Sequence, residues 1–444
     1  MSYIPNSPEV RRQMLSEIGV SEFTDLVKCI SKDVLLDKPL NLPKALSEME
    51  LEAQLQDLAS KNAAIAANFA GGGAYDHFSP AAVDQLILRP EFYTAYTPYQ
   101  AEVAQGTLQV IYEFQTFISR LTAMDVTNAS MYDGATALAE AIMIALAHTG
   151  RNEVLVPQLV NPNYMGVVKS YLAGQKVRFK TVDMNEGVTS HTDLKAKLSS
   201  KTAAIVIQNP NFVGQIEKAA EFTALAKEVG ALSIIIYDPL SLGILAPPGE
   251  LGADIAVAEG QPLGLPLNYG GPYLGLLSTK REFIRRIPGR LSGRTKDKNG
   301  KPGFVLTLQT REQHIRRERA TSNICTNQAL CALIATIYLS LLGKIGLHKV
   351  GNLCLSKTHY AAARITAIPG FTLKFKGPYF KEFVIEAPAS ATALITKLAK
   401  KNIVPGIDLG KFGLGMRSAL MVAVTEKRTK EQIDQLAYEL SQAV

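Results

Sequence analysis

The sequence has little cysteine, and its cysteines do not form a metal-binding pattern. Only four of the 444 residues are cysteine, and none of them forms a CxxC pair. Cys325 and Cys331 lie on or near one predicted helix, at a spacing that does not suit a metal site. The other two are Cys29 and Cys354. We therefore expect reduced thiols in the core, a cytoplasmic location and no metal.

Long basic tracts, export signals and long apolar runs are also absent. The net charge of +7 is modest for this length, and no Lys/Arg tract is interleaved with aromatic residues, so we expect no nucleic-acid partner. Residues 1–5 lack a basic region followed by an apolar one, which predicts no export signal. The most apolar predicted helix, 329–342, is too short to span a bilayer. These features are typical of a globular protein without a membrane partner.

A further absence lies in the middle of the chain, where no lysine or arginine occurs from Glu228 through Thr279. Within this stretch the apolar run 231–237 predicts a strand buried on both faces of a parallel sheet. Asp238 would then lie at the carboxyl end of that strand, where open α/β sheets bind their ligands. Its position is compatible with a partner for a cofactor ring nitrogen or a sugar hydroxyl, and equally with a cap or turn residue. A fold that holds a cofactor on a lysine after this aspartate would lack that lysine here.

The order of predicted elements divides the chain into three parts. Residues 1–70 are predicted to form a helical arm, which either wraps a neighbouring subunit or packs on the chain's own core. Residues 71–344 alternate short strands with helices, which predicts a large α/β domain with a mostly parallel sheet. Residues 345–444 are predicted to form a small α+β domain.

A tyrosine-rich loop precedes the helix predicted for residues 103–121. Three tyrosines surround Pro98 in the sequence YTAYTPYQAE, which indicates a rigid loop with large amphipathic rings. Such a loop lines a pocket or an interface, or packs locally with its hydroxyls bonded to nearby backbone.

The basic, glycine-rich segment 289–303, GRLSGRTKDKNGKPG, is a second candidate for contact with a partner. It is predicted to be a mobile loop. It would be either ordinary surface or a flap over a cleft that receives an acidic partner.

The start of the alanine-rich helix after Asp133 has features of an anion site. Small residues at a helix start let backbone amides approach a phosphate. Here Asp133 intervenes, and as the cap it would accept hydrogen bonds from the free amides and repel a phosphate. We therefore expect the protein itself to occupy this anion site.

Several long motifs together resemble the glycine cleavage system's glycine decarboxylase (P-protein) family, and specifically its amino-terminal half, which occurs as a separate alpha subunit. The resemblance covers essentially the whole chain. The motifs that carry it are YTPYQAE (96–102) with Gln105 and Gly106, NAS (128–130), DGATA (133–137), GGP (270–272) and RERATSNICT (317–326).

The resemblance implies a pyridoxal phosphate (PLP) dependent, fold-type-I architecture. In that fold an aspartate pairs with the pyridinium nitrogen and a later lysine binds the cofactor. Asp238 matches the first role. No residue matches the second, because Lys227 precedes Asp238 and Lys280 lies beyond the glycine-rich turn at residues 270–272. Asp133 and Thr136, at the expected phosphate helix, belong with Asp238 to a vestigial cofactor region.

The same resemblance implies an incomplete subunit that works with a partner. It predicts no catalytic lysine in this chain, PLP carried by a beta subunit, and a heterotetramer of two heterodimers. The complex would decarboxylate glycine and transfer the aminomethyl group to the lipoyl arm of H-protein, whose disulfide accepts the electrons. The residues expected to face the partner's site are Tyr96, Thr97, Pro98, Tyr99, Ser130 and Met131.

Two other classes of function remain open at this stage. One is a self-sufficient PLP-dependent aminotransferase or lyase, which would use a lysine not identified here. The other is a structural or regulatory pseudoenzyme whose loops enter no working site.

Overall fold

The structure is a computed structural model that describes residues 6–36, 38–268, 270–416 and 418–444. The first five residues, to which the prediction about export applies, lie outside this range. The chain forms two compact units, Met1–Ala63 and Ala64–Val444, so the first unit ends before the predicted arm boundary at residue 70.

The first unit contains three helices that bury no side chain among its described residues. They are α1 (Pro8–Ile18), α2 (Phe23–Leu26) and α3 (Glu48–Ser60). Ser7 caps α1, and Ser47 with Glu50 forms a capping box on α3. In residues 6–36 and 38–63 every side chain is exposed or half-buried.

The second unit contains most of the secondary structure. Its strands are β1 (Ala67–Asn68), β2 (Val126–Thr127), β3 (Glu153–Pro157), β4 (Arg178–Val182), β5 (Met184–Asn185), β6 (Val188–Thr189), β7 (Thr202–Asn209), β8 (Leu232–Tyr237), β9 (Ile255–Glu259), β10 (Gly275–Thr279), β11 (Ser292–Lys296), β12 (Pro302–Leu306), β13 (Thr372–Leu373), β14 (Glu382–Glu386), β15 (Ile403–Val404), β16 (Ile407–Asp408) and β17 (Ala419–Ala423). Its α-helices are α4 (Ala81–Ile87), α5 (Pro90–Tyr93), α6 (Gln105–Thr122), α7 (Gly134–Thr149), α8 (Pro162–Tyr171), α9 (His191–Lys197), α10 (Ala219–Glu228), α11 (Gln313–Arg316), α12 (Ala329–Thr366), α13 (Ala391–Ala399) and α14 (Lys430–Gln442).

The large sheet has seven strands in the order β2-β10-β9-β8-β7-β3-β4. Strands β4, β3, β7, β8 and β9 pair in parallel, whereas β10 is antiparallel to both β9 and β2. The predicted mostly parallel sheet is confirmed. The carboxyl end of β8 lies in the middle of this sheet, which places Asp238 at the ligand-binding edge expected for such folds.

Both faces of the sheet are covered, which explains the apolar run in β8. Ile235 and Tyr237 pack into one core cluster, whereas Ile234 and Ile236 pack into the cluster on the opposite face. Successive side chains of a strand point to opposite faces. A strand without polar alternation is therefore the one that this doubly covered sheet requires.

The small domain is built on a four-stranded sheet, β13-β14-β17-β16, in which all pairs are antiparallel. Helices α13 and α14 pack with it around a separate core cluster. The boundary predicted at residue 345 falls inside α12, two residues after Gly343, where the backbone leaves the helical conformation. Strand β1, within the predicted arm, pairs in parallel with β15.

Helix α12 is longer than predicted. It spans 38 residues where the apolar pattern predicted residues 329–342, and by length and composition alone it is long and apolar enough to cross a membrane. About 44% of its most apolar window is buried in the protein, including Cys331 and Tyr338 in the core of the large sheet. A buried core helix satisfies the same length and composition criteria.

Two further predictions are wrong. The basic segment 289–303 is not a loop throughout, because β11 and part of β12 form an antiparallel hairpin within it. The hairpin turn contains Asn-Gly, a typical hairpin sequence, and the Asp297 carboxylate accepts hydrogen bonds from the Asn299 and Lys301 amides. Of the cysteines, Cys331 and Cys354 are buried, but Cys29 and Cys325 are exposed and are not core thiols.

Candidate functional site

The carboxylate of Asp238 is held from two sides. One oxygen accepts hydrogen bonds from the backbone amides of Leu240 (2.9 Å) and Ser241 (3.3 Å), which is the turn-type role considered for this position. The other oxygen lies 2.5 Å from Nζ of Lys381. Asp238 therefore has the turn role, and its charged partner is a lysine of the chain itself.

Lys381 is buried directly in front of the sheet. It is 2% exposed and directly precedes β14 of the small domain. Its ammonium group lies 3.5 Å from the centre of the Tyr75 ring and 3.1 Å from Nε2 of His77. The aromatic face adds cation–π attraction. The lysine thus occupies the space next to Asp238 where a cofactor ring nitrogen would pair.

Two ionisable groups around Lys381 have shifted pKa values. Burial and the nearby Lys381 charge lower the pKa of His77. Burial would raise the pKa of Glu426, but hydrogen bonds from His77 (2.6 Å) and from the Phe78 amide outweigh it and lower this pKa to about 2.

A third such group, Glu382, anchors a separate glycine-rich turn at residues 71–73. It accepts hydrogen bonds from the Gly72 amide (2.7 Å) and from the Tyr75 hydroxyl (2.9 Å). Burial raises its pKa to about 7. The wall of the site is therefore built from buried ionisable groups of this chain.

The start of α7 is capped by carboxyl groups of the protein. Asp133 accepts a hydrogen bond from the Thr136 amide (2.7 Å), and the Thr136 hydroxyl accepts one from the Asp133 amide (3.1 Å). The predicted cap is confirmed. Glu259, at the end of β9, accepts a hydrogen bond from the Gly134 amide (3.0 Å). A Cβ at Gly134 would lie 2.7 Å from the backbone nitrogen of Glu259, so the helix start packs directly on this strand end.

The residues present do not fit a pyridoxal phosphate. Asp238 is already paired with Lys381. The carboxyl groups of Asp133 and Glu259 accept hydrogen bonds from amides at the start of α7 that would otherwise bind a phosphate. The cavity between Asp238, Lys381 and Glu259 has a volume of about 40 Å³, which is room for about three water molecules. Small-molecule pockets are typically about 300 Å³ or more.

The tyrosine loop lies at the surface and, with Glu91, Val103, Ala104 and Thr107, lines an open cleft of about 550 Å³. Tyr96 is 85% exposed and Tyr99 is 58% exposed, whereas Pro98 is buried and Thr97 is half-buried. The loop is fixed by a hydrogen bond from the Tyr99 amide to the Thr97 carbonyl (2.8 Å). The exposed ring of Tyr96 is compatible with an interface, and the role of this loop stays a prediction.

Ser130 and Met131 are both buried in this chain, so neither offers an exposed side chain to a partner. The Met131 amide donates to the Gly275 carbonyl (2.8 Å), and the Ser130 hydroxyl accepts a hydrogen bond from the Gln328 amide (3.1 Å). The structure brings Asp133, Thr136 and Asp238 to one region around the end of the sheet, whereas the tyrosine loop lies elsewhere.

Sequence reasoning missed Lys381, Glu382, Glu259 and His77. A signal was present for the first two, because a Lys-Glu pair interrupts the apolar run YFKEFVI (379–385), and charged residues in such a run are buried only with partners. Glu259 ends an apolar strand just as Asp238 does. His77 had no comparable signal, since its partners Lys381 and Glu426 are hundreds of residues away in the chain.

The seven-stranded sheet, the small antiparallel domain and the aspartate at the strand end define the fold that is known as fold type I of PLP-dependent enzymes. Two solved structures share this fold at low sequence identity. A sphingosine-1-phosphate lyase from Burkholderia pseudomallei aligns with a TM-score of 0.66, 13% identity and 92% coverage of both chains. A NifS-like protein from Rickettsia africae aligns with a TM-score of 0.63 and 13% identity, over 85% of this chain and 99% of that one.

The chain belongs to the glycine cleavage system P-protein family, whose family model matches residues 1–440. It is 52% identical to a probable glycine dehydrogenase (decarboxylating) subunit 1 from Chlorobium limicola, over 99% of this chain and 100% of that protein. A protein of the same description from Moorella thermoacetica is 50% identical over 98% of both chains. The crystal structure of a glycine decarboxylase (P-protein) in inhibitor-bound form aligns with a TM-score of 0.92 and 40% identity over all of both chains.

Proposed function

We propose that the chain is the subunit of a two-chain glycine dehydrogenase (decarboxylating) that does not carry PLP. A second, beta subunit would bind the cofactor. The assembled enzyme would decarboxylate glycine in the cytoplasm and transfer the aminomethyl group to the lipoyl arm of H-protein. A pair of heterodimers, as a heterotetramer, is the assembly we expect.

One observation carries this proposal, namely the ion pair between Lys381 and Asp238. It puts a cation of the chain itself beside the carboxylate that would otherwise pair with a cofactor nitrogen. A buried carboxylate needs one such partner, and Lys381 provides it. The name of the relatives, glycine dehydrogenase (decarboxylating) subunit 1, supports the existence of a partner chain.

The tyrosine loop is proposed to form one wall of the partner's site. Exposed aromatic side chains are enriched at interfaces, where the ring is buried and the hydroxyl finds a hydrogen-bond partner. The hydroxyls of Tyr96 and Tyr99 would orient a substrate carboxylate, and the rings with Pro98 and Thr97 would exclude water. Loss of carbon dioxide removes the charge of the substrate carboxylate, and a site that excludes water favours such a step.

Substitution of Tyr96 in the reconstituted enzyme tests this role. Tyr96→Phe removes one hydroxyl and should lower kcat/KM for glycine about tenfold, in the range expected for one hydrogen bond to a charged group. Tyr96→Ala should have a larger effect. Tyr438→Phe is a matched control, because Tyr438 is 58% exposed on α14.

The assay combines this chain with the beta chain, lipoylated H-protein and glycine. Kinetics of Tyr96→Phe and Tyr96→Ala equal to those of the control would contradict the proposed wall. If substitutions throughout the loop had no effect although the complex formed, the chain would be a structural or regulatory scaffold instead.

A further inference from the structure

We infer that Arg290 is a positioning residue that holds the tyrosine loop in place for the shared site. Arg290 is 3% exposed and lies between Gly289 and β11. Its Nη2 donates hydrogen bonds to the Cys325 carbonyl (2.8 Å) and to the Tyr99 hydroxyl (3.4 Å). Its Nη1 donates to the Thr326 hydroxyl (3.2 Å). One guanidinium group therefore joins the loop to the segment that leads into α12.

The ring of Tyr99 is held as well as its hydroxyl. The central carbon of the Arg290 guanidinium lies 5.6 Å from the ring centre of Tyr99, within the range of a cation–π contact. Tyr99 is thus tethered from the inside, while Tyr96 in the same loop is 85% exposed. Fixing one tyrosine limits the positions that the other can reach.

The backbone around Arg290 is tied to the segment 128–131. The Ala129 amide donates to the Arg290 carbonyl (2.9 Å), and the Asn128 side-chain amide donates to the Pro288 carbonyl (2.9 Å). On the other side, the Asn327 side-chain amide donates to the Ala129 carbonyl (2.9 Å). Three chain segments far apart in sequence therefore meet behind the tyrosine loop.

Ser130 shows that this junction is tightly determined. Its φ angle is 116°, a backbone conformation that side-chain-bearing residues rarely adopt. Such strain persists only where the surroundings impose it. The Ser130 amide donates to the Asn128 side chain (3.2 Å), and its hydroxyl accepts from the Gln328 amide (3.1 Å). The strained residue is thus held by two of the segments that Arg290 joins.

A lysine would replace Arg290 only in part at this junction. The guanidinium contacts several oxygens at once because it is planar and carries donors on both arms. Its described hydrogen bonds all go to neutral oxygens, those of Tyr99, Cys325, Thr326 and Asn327. A single ammonium group would satisfy only part of this set. Arg290→Lys should therefore behave as a partial loss, not as a conservative change.

The function of this residue rests on the proposed function, because the loop matters only if it faces a partner's site. The first measurement is independent of activity. Hydrogen exchange in the isolated chain reports the Tyr99, Val103 and Ala104 amides, which are bonded within the loop. Arg290→Gln should speed their exchange, and that of the Gln328 amide, about tenfold. Arg294→Gln, in the same hairpin and exposed, should change none of them.

Tyr99→Phe separates the loop from the rest of the junction and does not threaten folding. It removes only the hydroxyl, so it should speed exchange of the loop amides while the Gln328 amide stays protected. Unchanged loop exchange in both Arg290→Gln and Tyr99→Phe would overturn the inference.

The second measurement uses the complex reconstituted with the beta chain. Arg290→Gln should lower kcat/KM for glycine about tenfold per assembled complex, and Arg290→Lys should give an intermediate value. Added guanidinium ion at low millimolar concentration should restore part of the activity of Arg290→Ala. A purely structural role would reduce the amount of complex and leave kcat/KM per complex unchanged, and that result would contradict the inference. If the wild-type chain gave no activity, the proposed function would fail, while the exchange data would still decide whether Arg290 holds the loop.

Discussion

Replacing Lys381 by methionine removes the charge next to Asp238 while it keeps most of the side-chain volume. The carboxylate would then be buried without its cation, and removal of one partner of a buried ion pair typically costs about 3–5 kcal/mol. Asp238 keeps its two backbone hydrogen bonds, and its side chain is 13% exposed. We therefore expect a loss near the lower end, about 3 kcal/mol of unfolding free energy.

A double-mutant cycle isolates the ion pair from the packing of the side chain. Asp238→Asn removes the charge on the other side, and Lys381→Met with Asp238→Asn removes both. The double variant should be more stable than the sum of the two single losses predicts, with a coupling of about 2 kcal/mol or more. Lys376→Met is the control, because Lys376 is exposed in the same segment.

The assay is urea unfolding followed by circular dichroism, since the chain contains no tryptophan. A loss below about 1 kcal/mol for Lys381→Met would match the behaviour of an exposed ion pair. That result would refute the view that a tight internal pair fills this site.

Two further predictions follow from burial and exposure. Burial raises the pKa of Glu140 to about 7 and that of Glu259 to about 8. A carboxyl group whose pKa is raised on folding binds more protons in the folded state than in the unfolded state. Its contribution to stability is therefore full below about pH 4.5 and is lost as the pH rises to 8. The free energy of unfolding, measured between pH 5 and 8, should fall by up to about 1.4 kcal/mol per pH unit for each group. Glu140→Gln should make this fall with pH less steep. A free energy of unfolding that does not change with pH would contradict the raised pKa values. In the first unit, Leu55 and Leu58 are 56% and 52% exposed on α3. Changing both to aspartate should therefore alter the stability of the isolated chain by less than about 0.5 kcal/mol. The same change should weaken copurification with the beta chain. A loss above about 1 kcal/mol in the isolated chain would instead indicate packing on its own core.

The sheet could be predicted because its signal is local. An apolar run such as 231–237, rich in isoleucine, favours a buried strand by its own composition, and the capping motifs at Ser47 and Asp133 act within one helical turn. Strand and helix order then fixed the α/β class. The prediction of a loop for residues 289–303 was wrong because it followed from the basic, glycine-rich composition. The Asn-Gly turn in the same segment indicates the hairpin that the structure has.

The contents of the site were harder to predict because they depend on residues far apart in sequence. Asp238 and its position could be inferred, but Lys381 reaches it from the small domain. Likewise Arg290 meets Tyr99 only after folding. The absence of lysine between 228 and 279 predicts that the usual cofactor anchor is missing, and it gives no sign that Lys381 lies beside the aspartate.

The most direct test of the account is borohydride trapping of pyridoxal phosphate on the separated subunits, followed by mass spectrometry of peptides. We predict that the beta chain, taken from the active complex, carries a pyridoxyl group on a lysine. This chain should carry none at equimolar cofactor, with Lys381 unmodified. A stoichiometric pyridoxyl adduct on Lys381, together with turnover of glycine by this chain alone, would contradict the account.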